Sequence, residues 1–182
     1  FPPLKESWSE IKIKRKQQMR YVFGDMFSMV NRGSNNILCV TTNGTITKSN
    51  QLVMGRGNAL QAARLFPSLK TKAALMLLKH FKPQTYIPVN LMPGKEKFKK
   101  PWKTIIYGFF YSENLPVALF QVKKHFGEYA DPGLINFSTG MLKAYAFKTP
   151  TKIIHLPFPG IGFGGLSVEA VEPLLRVLPD NV

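Results

Sequence analysis

Between the apolar run KIIHL and the segment SVEAVEPLLRVL lies PFPGIGFGG, in which Gly160, Gly162, Gly164 and Gly165 fall within six positions. Glycine inside a strand or helix costs roughly 0.5–1 kcal/mol relative to alanine, so four so close together belong to a loop. Such a loop is either a flexible turn or a cradle in which main-chain N–H groups and the start of the next helix hold a phosphate. A strand, a glycine loop and a helix in that order form a unit of α/β architecture, and the rest of the chain has to accommodate it.

The other segments do so. MRYVFGDMF predicts a short strand ending at Gly24-Asp25, and NNILCVTTNG a second, apolar through Ile37, Leu38, Cys39 and Val40 and ending at Asn43-Gly44. MGRGNALQAARLFPSL predicts a helix from Met54 that Pro67 stops, and KTKAALMLLKHF a further basic helix. The tract from Lys82 to Trp102 holds Pro83, Pro88, Pro93 and Pro101 and predicts a loop with a short strand near Tyr86 to Val89. WKTIIYGFFYS and PVALFQVKK are rich in β-branched and aromatic residues and predict strands; DPGLINFSTGMLKAYAFK predicts a helix, KIIHLPF a buried strand, and SVEAVEPLLRVL a helix capped by Ser167. Alternating strands and helices predict one three-layer α/β/α domain with a mixed central sheet, its ligand lying where strand C-termini meet helix N-termini.

The 182 residues suffice for one domain with a sizeable core, and no run of about 18 apolar residues predicts a membrane span. Cys39 is the only cysteine, which excludes an internal disulfide and a cysteine-rich zinc site. No metal site is expected, no signal-peptide pattern is seen, and a reducing, cytoplasmic setting and a monomer are the expectation. The net charge is +15, from 25 Lys and Arg against 10 Asp and Glu. It concentrates in a basic arm over residues 1–19, ahead of the domain at 20–182, and in residues 70–103, where nine lysines face only Glu96. Such a surface favours polyanions, nucleic acid among them, or serves as a solvated face.

Three predicted strand ends carry polar or glycine-rich signals: Gly24-Asp25, Asn43 followed by Met54-Gly55-Arg56-Gly57, and the loop at 160–165. In this order they resemble the macro domain, the ADP-ribose-binding fold. The resemblance covers about residues 20–182 and is nearest to the branch containing the DNA ADP-ribosyl glycohydrolase antitoxin and the terminal ADP-ribose protein glycohydrolase. There MGRGNAL corresponds to the element after the second strand, PFPGIGFGGLSVEAV to the element after the last strand, and LFQVKKHF to the strand ending in the family's catalytic lysine, which falls on Lys123. The protein-directed members carry an aspartate where this chain has Gly164, so the DNA-directed pattern fits better.

The resemblance implies an ADP-ribose site without any further cofactor. Asp25, with Met26 beside it, would meet the adenine amino group, and Asn43 the ribose hydroxyls. Met54, Gly55, Arg56 and Gly57 would approach the distal ribose and pyrophosphate, and Pro159, Gly160, Ile161, Gly162, Phe163, Gly164 and Gly165 would wrap the diphosphate. From the residues alone, Asp25 equally reads as the cap of a following turn and Asn43-Gly44 as a plain turn. His125 is a further candidate for proton transfer beside Lys123, and His155 reads as a core histidine. The implied activity is removal of ADP-ribose from nucleic acid or another macromolecule through Lys123. The alternatives are a non-catalytic reader of ADP-ribose or a related nucleotide, an ADP-ribose 1″-phosphate phosphatase, and a plain nucleic-acid-binding module, which lacks any recognisable motif.

Overall fold

The structure, a computed structural model, describes residues 18–29 and 33–182. The basic arm, apart from residues 18 and 19, lies outside the described residues.

Among the described residues there are six strands: β1 (Asn36–Asn43), β2 (Gln84–Tyr86), β3 (Trp102–Thr104), β4 (Phe109–Phe110), β5 (Ala118–Lys123) and β6 (Ile153–His155). Four helices accompany them: α1 (Gly57–Leu65), α2 (Leu69–His80), α3 (Pro132–Lys148) and α4 (Val168–Leu175). The main sheet has the order β4-β5-β1-β6, with β5, β1 and β6 parallel and β4 antiparallel, and β2 pairs antiparallel with β3 as a separate hairpin.

Successive side chains of a strand point to opposite faces, and a parallel strand covered on both faces reads as a continuous apolar run. In β1, Leu38 and Val40 join a cluster with Leu119 and with Ala59, Ala62, Leu69 and Leu77 of α1 and α2. Ile37 and Cys39 join a second cluster with Phe120, Val122 and with Ile135, Leu142, Val171 and Leu175 of α3 and α4. The sheet therefore lies between two helical layers, and Cys39 is fully buried in one of the interfaces. Two of the helices begin at side-chain caps: Asp131 Oδ1 accepts from the N–H groups of Gly133 and Leu134, and Ser167 Oγ from Ala170 N–H. Among the described residues no helix is long and apolar enough to cross a membrane.

Two expectations are corrected. Residues 19–27 form no strand: Met19 and Arg20 donate their N–H groups to the carbonyls of Leu178 and Val182, and the segment turns into a short 3-10 helix at Met26–Met29. The turn is made by Asp25, whose Oδ1 accepts from Phe27 N–H at 3.0 Å while its carbonyl accepts from Ser28. The run from Trp102 to Ser112 is likewise not one strand. It divides into β3 and β4 at Gly108, whose φ of +67° no β-strand allows.

Gln121 holds this break in place. Fully buried, it accepts from Tyr107 and Gly108 N–H at 2.8 and 3.1 Å and donates to the carbonyls of Ile105 and Lys123 at 2.9 and 3.3 Å. Gln121→Leu keeps the volume but strands four main-chain groups, so a loss of about 3 kcal/mol or more is expected in urea unfolding. A loss below about 1 kcal/mol would show that those groups find other partners.

Candidate functional site

The parallel trio β5-β1-β6 places three strand C-termini on one rim, with Asn43 opposite Lys123 in register. The chain leaving β1 returns through Met54–Gly57 into α1, and the chain leaving β6 forms the loop Pro159–Gly165 before α4. The lysine and both glycine loops thus share one rim because of strand order alone.

Helix α1 starts at Gly57, three residues later than predicted, and Arg56 at its N-cap supplies no side-chain acceptor. The N–H groups of its first turn are therefore left for an anion. Asn58 fixes this start to the sheet, its Oδ1 accepting from both N–H and Oγ1 of Thr41. Met54 is 1% exposed and belongs to the core, so only its main chain borders the rim, whereas Gly55, Arg56 and Gly57 are exposed.

In the second loop Gly160 and Gly165 have φ of +78° and +77°. A Cβ on Gly160 would meet Ile135, Ala130 and Leu166 at 2.8–3.0 Å, and one on Gly165 would meet the Tyr129 ring at 2.6 Å. Both positions demand glycine. Pro159, Gly160 and Gly164 are buried, with Gly164 O accepting from Ala130 N–H at 2.9 Å; Ile161, Gly162, Phe163 and Gly165 are exposed. The N–H groups of Ile161 and Phe163 have no hydrogen-bond partner among the described residues. Arg56 lies over the Phe163 ring, 5.0 Å from its centroid, and so bridges the two loops.

Lys123 ends β5 half-buried, its Nζ donating to the Glu128 carbonyl at 2.9 Å. Burial, helped by the positive charges of Arg56 and Lys95 and opposed by the Glu128 carboxylate, lowers its pKa to about 8. About one amine in ten is then neutral at pH 7, several hundredfold more than for an ordinary lysine. Lys124 turns elsewhere and lies over the Tyr86 ring at 5.5 Å.

Glu128, which no sequence signal singled out beyond its being a lone acid in KKHFGEYA, is 4% exposed. Its Oε1 accepts from Tyr86 Oη at 2.8 Å and from Val89 and Asn90 N–H at 2.9 and 3.2 Å, and its Oε2 from His125 N–H at 3.2 Å. His125 is fully buried among the rings of Phe98, Trp102 and Phe126. Its Nδ1 accepts from Gly127 N–H at 3.0 Å, which assigns the proton to Nε2. Neither ring nitrogen bonds Lys123, so its part is to support the loop that carries Glu128.

Three predicted residues, Asn43, Asp25 and Met26, stand apart from the rest. Asn43 donates to Val53 O and accepts from Thr45 N–H, both at 2.9 Å, so its amide is engaged at both ends by the turn. Met26 opens the 3-10 helix and Asp25 directly precedes it; Asp25 is exposed, makes the turn described above, and has no bond or ion pair to either glycine loop among the described residues. His155, expected in the core, is only part-buried, at the end of the edge strand β6, where its Nε2 pairs with Asn36 Oδ1 at 2.8 Å. No group of three or more His, Cys, Asp or Glu is placed to hold a metal among the described residues.

No protein-family model matches the chain, and no curated protein matches it by sequence. Solved structures do. The macrodomain of Mycobacterium tuberculosis DarG superposes with a TM-score of 0.51 at 21% identity, over 89% of this chain and 94% of that one. Thermosipho africanus DarTG in complex with ADP-ribose gives 0.51 at 21% identity, over 87% of this chain and 39% of that one. The macrodomain of Thermus aquaticus DarG gives 0.50 at 21% identity, over 88% and 91%. The architecture is that of a macrodomain.

Burial lowers the pKa of His125 to about 4, with the Lys123 charge adding to the effect and Glu128 opposing it. The unfolded chain takes up this proton near pH 6.5 and the folded chain only near 4, so stability is lost as pH falls between those values. Urea midpoints at pH 7, 6 and 5 should decline, and less steeply in His125→Gln. An identical slope in that variant would assign the decline to other groups, such as His155, whose pKa burial also lowers.

Proposed function

We propose that this macrodomain binds ADP-ribose on the rim and removes it from a macromolecule, with Lys123 as the catalytic residue. One observation carries the reading: a partly neutral amine, its Nζ held at 2.9 Å by a main-chain carbonyl, ends the strand beside both glycine loops. The ADP-ribose complex of the T. africanus protein, which shares the fold, supports the choice of ligand.

In this reading the diphosphate takes the N–H groups of Ile161 and Phe163 and those of the first turn of α1, with Arg56 supplying charge. Asp25 is left to receive the adenine amino group. Neutral Nζ attacks the anomeric carbon of the distal ribose; the electron pair of the breaking bond leaves with the carrier, which takes the proton that the now cationic amine gives up. Water then adds to the lysine–ribose adduct and releases the amine. Gly164 puts no acid in the second loop, so Lys123 is the titratable group that decides the rate.

Calorimetric titration with ADP-ribose tests the first half. Gly162→Glu, whose side chain would project into open space in the cradle, should abolish binding, while Gly162→Ala, with the same backbone cost but no charge, should keep most of it. Absence of binding by the parent at about millimolar ligand would end the reading.

Incubation with ADP-ribosylated DNA, RNA and protein side by side tests the second half. Lys123→Ala should bind ADP-ribose nearly as the parent does yet lose about a hundredfold or more in turnover, whereas Lys124→Ala should keep its rate. Because the neutral amine is the active form, the rate should rise with pH through about 8 and level off above it. Binding without turnover on any carrier would make the protein a reader.

A further inference from the structure

Glu128 is a buried acid without a counter-ion: it is 4% exposed, and among the described residues no lysine or arginine side chain forms an ion pair with it. Its carboxylate meets donors instead. The N–H groups of Val89, Asn90 and His125 can only donate, and Tyr86 Oη donates the fourth bond. A protonated acid or an amide would turn a donor of its own toward one of them, so this set fits the ionised form. Burying a charge without an opposite one is a costly way to fasten two segments, since neutral groups would fasten them as well. The neighbouring amine gives the charge a purpose.

A chain of bonds leads from the carboxylate to that amine. Oε1 fixes Asn90 through its N–H at 3.2 Å, and Asn90 O accepts from Tyr129 N–H at 3.1 Å. The Tyr129 N–H belongs to the same planar peptide as the Glu128 carbonyl, and in a trans peptide the two point opposite ways. With the N–H held by Asn90, the carbonyl is aimed at Lys123 Nζ, which it meets at 2.9 Å. Oε2 closes the turn from within, accepting from His125 N–H at 3.2 Å while His125 O accepts from Glu128 N–H at 3.1 Å. The side chain thus controls Nζ through its own main chain, and its charge acts on the amine through space.

We propose that Glu128 is the positioning residue of the rim, its reach fixing where the Lys123 amine stands and its charge acting on that amine. The proposal rests on the preceding reading only in making this amine the catalytic one. The other charges that act on it are Arg56 at the N-cap of α1 and Lys95 ahead of β3, both favouring the neutral form. His125 in the same turn is uncharged, since burial lowers its pKa to about 4. Tyr86 on β2 stays protonated, its pKa raised to about 12 by burial and by the bond to Glu128. Lys124 is turned to the Tyr86 ring, and Asp131 is committed to the cap of α3.

Two substitutions in the full chain separate reach from charge. Glu128→Gln keeps the length and the Oε1 bonds but removes the charge, whereas Glu128→Asp keeps the charge and, one methylene shorter, lets go of Asn90. With isotope-labelled lysine, NMR titration of the Cε resonance, assigned by its loss in Lys123→Arg, reads the amine without any ligand. The parent should titrate at about 8. Glu128→Gln should titrate lower, below about 7.5, because the charge that favours the ammonium form is gone. Glu128→Asp should titrate higher, above about 9, because the released amine turns to water. Tyr86→Phe removes one donor from Oε1 and keeps the charge, so it should move the same way as Glu128→Asp by less, and it serves if that variant does not fold. A residue that only held the fold together would shift neither titration. Parent-like titration in either Glu128 variant, or a shift of both in one direction, would overturn the proposal. On any carrier that the parent turns over, the pH of half-maximal rate should follow these titrations. A parent that turns over no carrier while the two titrations diverge would remove the preceding reading and leave this one standing.

Discussion

The arrangement of the rim depends on one buried carboxylate. A carboxylate taken from water is costly unless its lone pairs are met, and Glu128 meets four donors drawn from three places in the chain. Through them the segment Tyr86–Asn90 is fastened to the loop after β5, where Met92 N–H to Gly127 O and Tyr129 N–H to Asn90 O extend the attachment. The same residue's carbonyl receives Lys123 Nζ. One residue thus holds the lysine-rich hairpin with its side chain and the reactive amine with its main chain, so neither can shift without the other.

The electrostatics of the rim oppose each other in an instructive way. Burial and the charges of Arg56 and Lys95 favour the neutral amine, while Glu128 favours the charged one. An anion arriving on Arg56 would cancel part of the like-charge repulsion and draw the amine back toward its protonated form, leaving burial alone to keep it reactive. Exclusion of water around the half-buried stem of Lys123 therefore matters more than its basic neighbours once a ligand is bound.

Much of the fold was legible because local chemistry and global position agreed. The cap Ser167, the stop at Pro67 and the apolar run Ile37–Val40 each mean the same thing in the chain as in the fold. The misread segments are those where a local pattern was overruled. Residues 19–27 are as apolar and aromatic as a strand, yet the Asp25 side chain closes a turn on Phe27 N–H. Ile105–Phe110 reads as unbroken, yet Gln121 gathers its main chain around Gly108. In the site, the glycine loops stood out by composition, and the strand-terminal lysine only by the resemblance of LFQVKKHF to the family's strand. The role of Glu128 did not, since its partners at Tyr86, Val89 and Asn90 lie 38 to 42 positions away and no spacing rule links them. Met54 and Asn43 stand in the right words of the sequence, but burial turned one side chain into the core and the turn engaged the other.

Cys39 sits in the middle of β1, fully buried against the helices of one face, with its thiol raised well above the usual range by that burial. A thiol reacts as thiolate and only where a reagent can reach it. The central strand carries the ladders to both β5 and β6, so no small fluctuation uncovers it; the sheet has to come apart first. As the chain's single cysteine, it makes alkylation a clock for the rarest motion of the molecule: with fast reclosing, the labelling rate in undenatured solution measures the free energy of opening the whole domain, with no dye, tag or denaturant added.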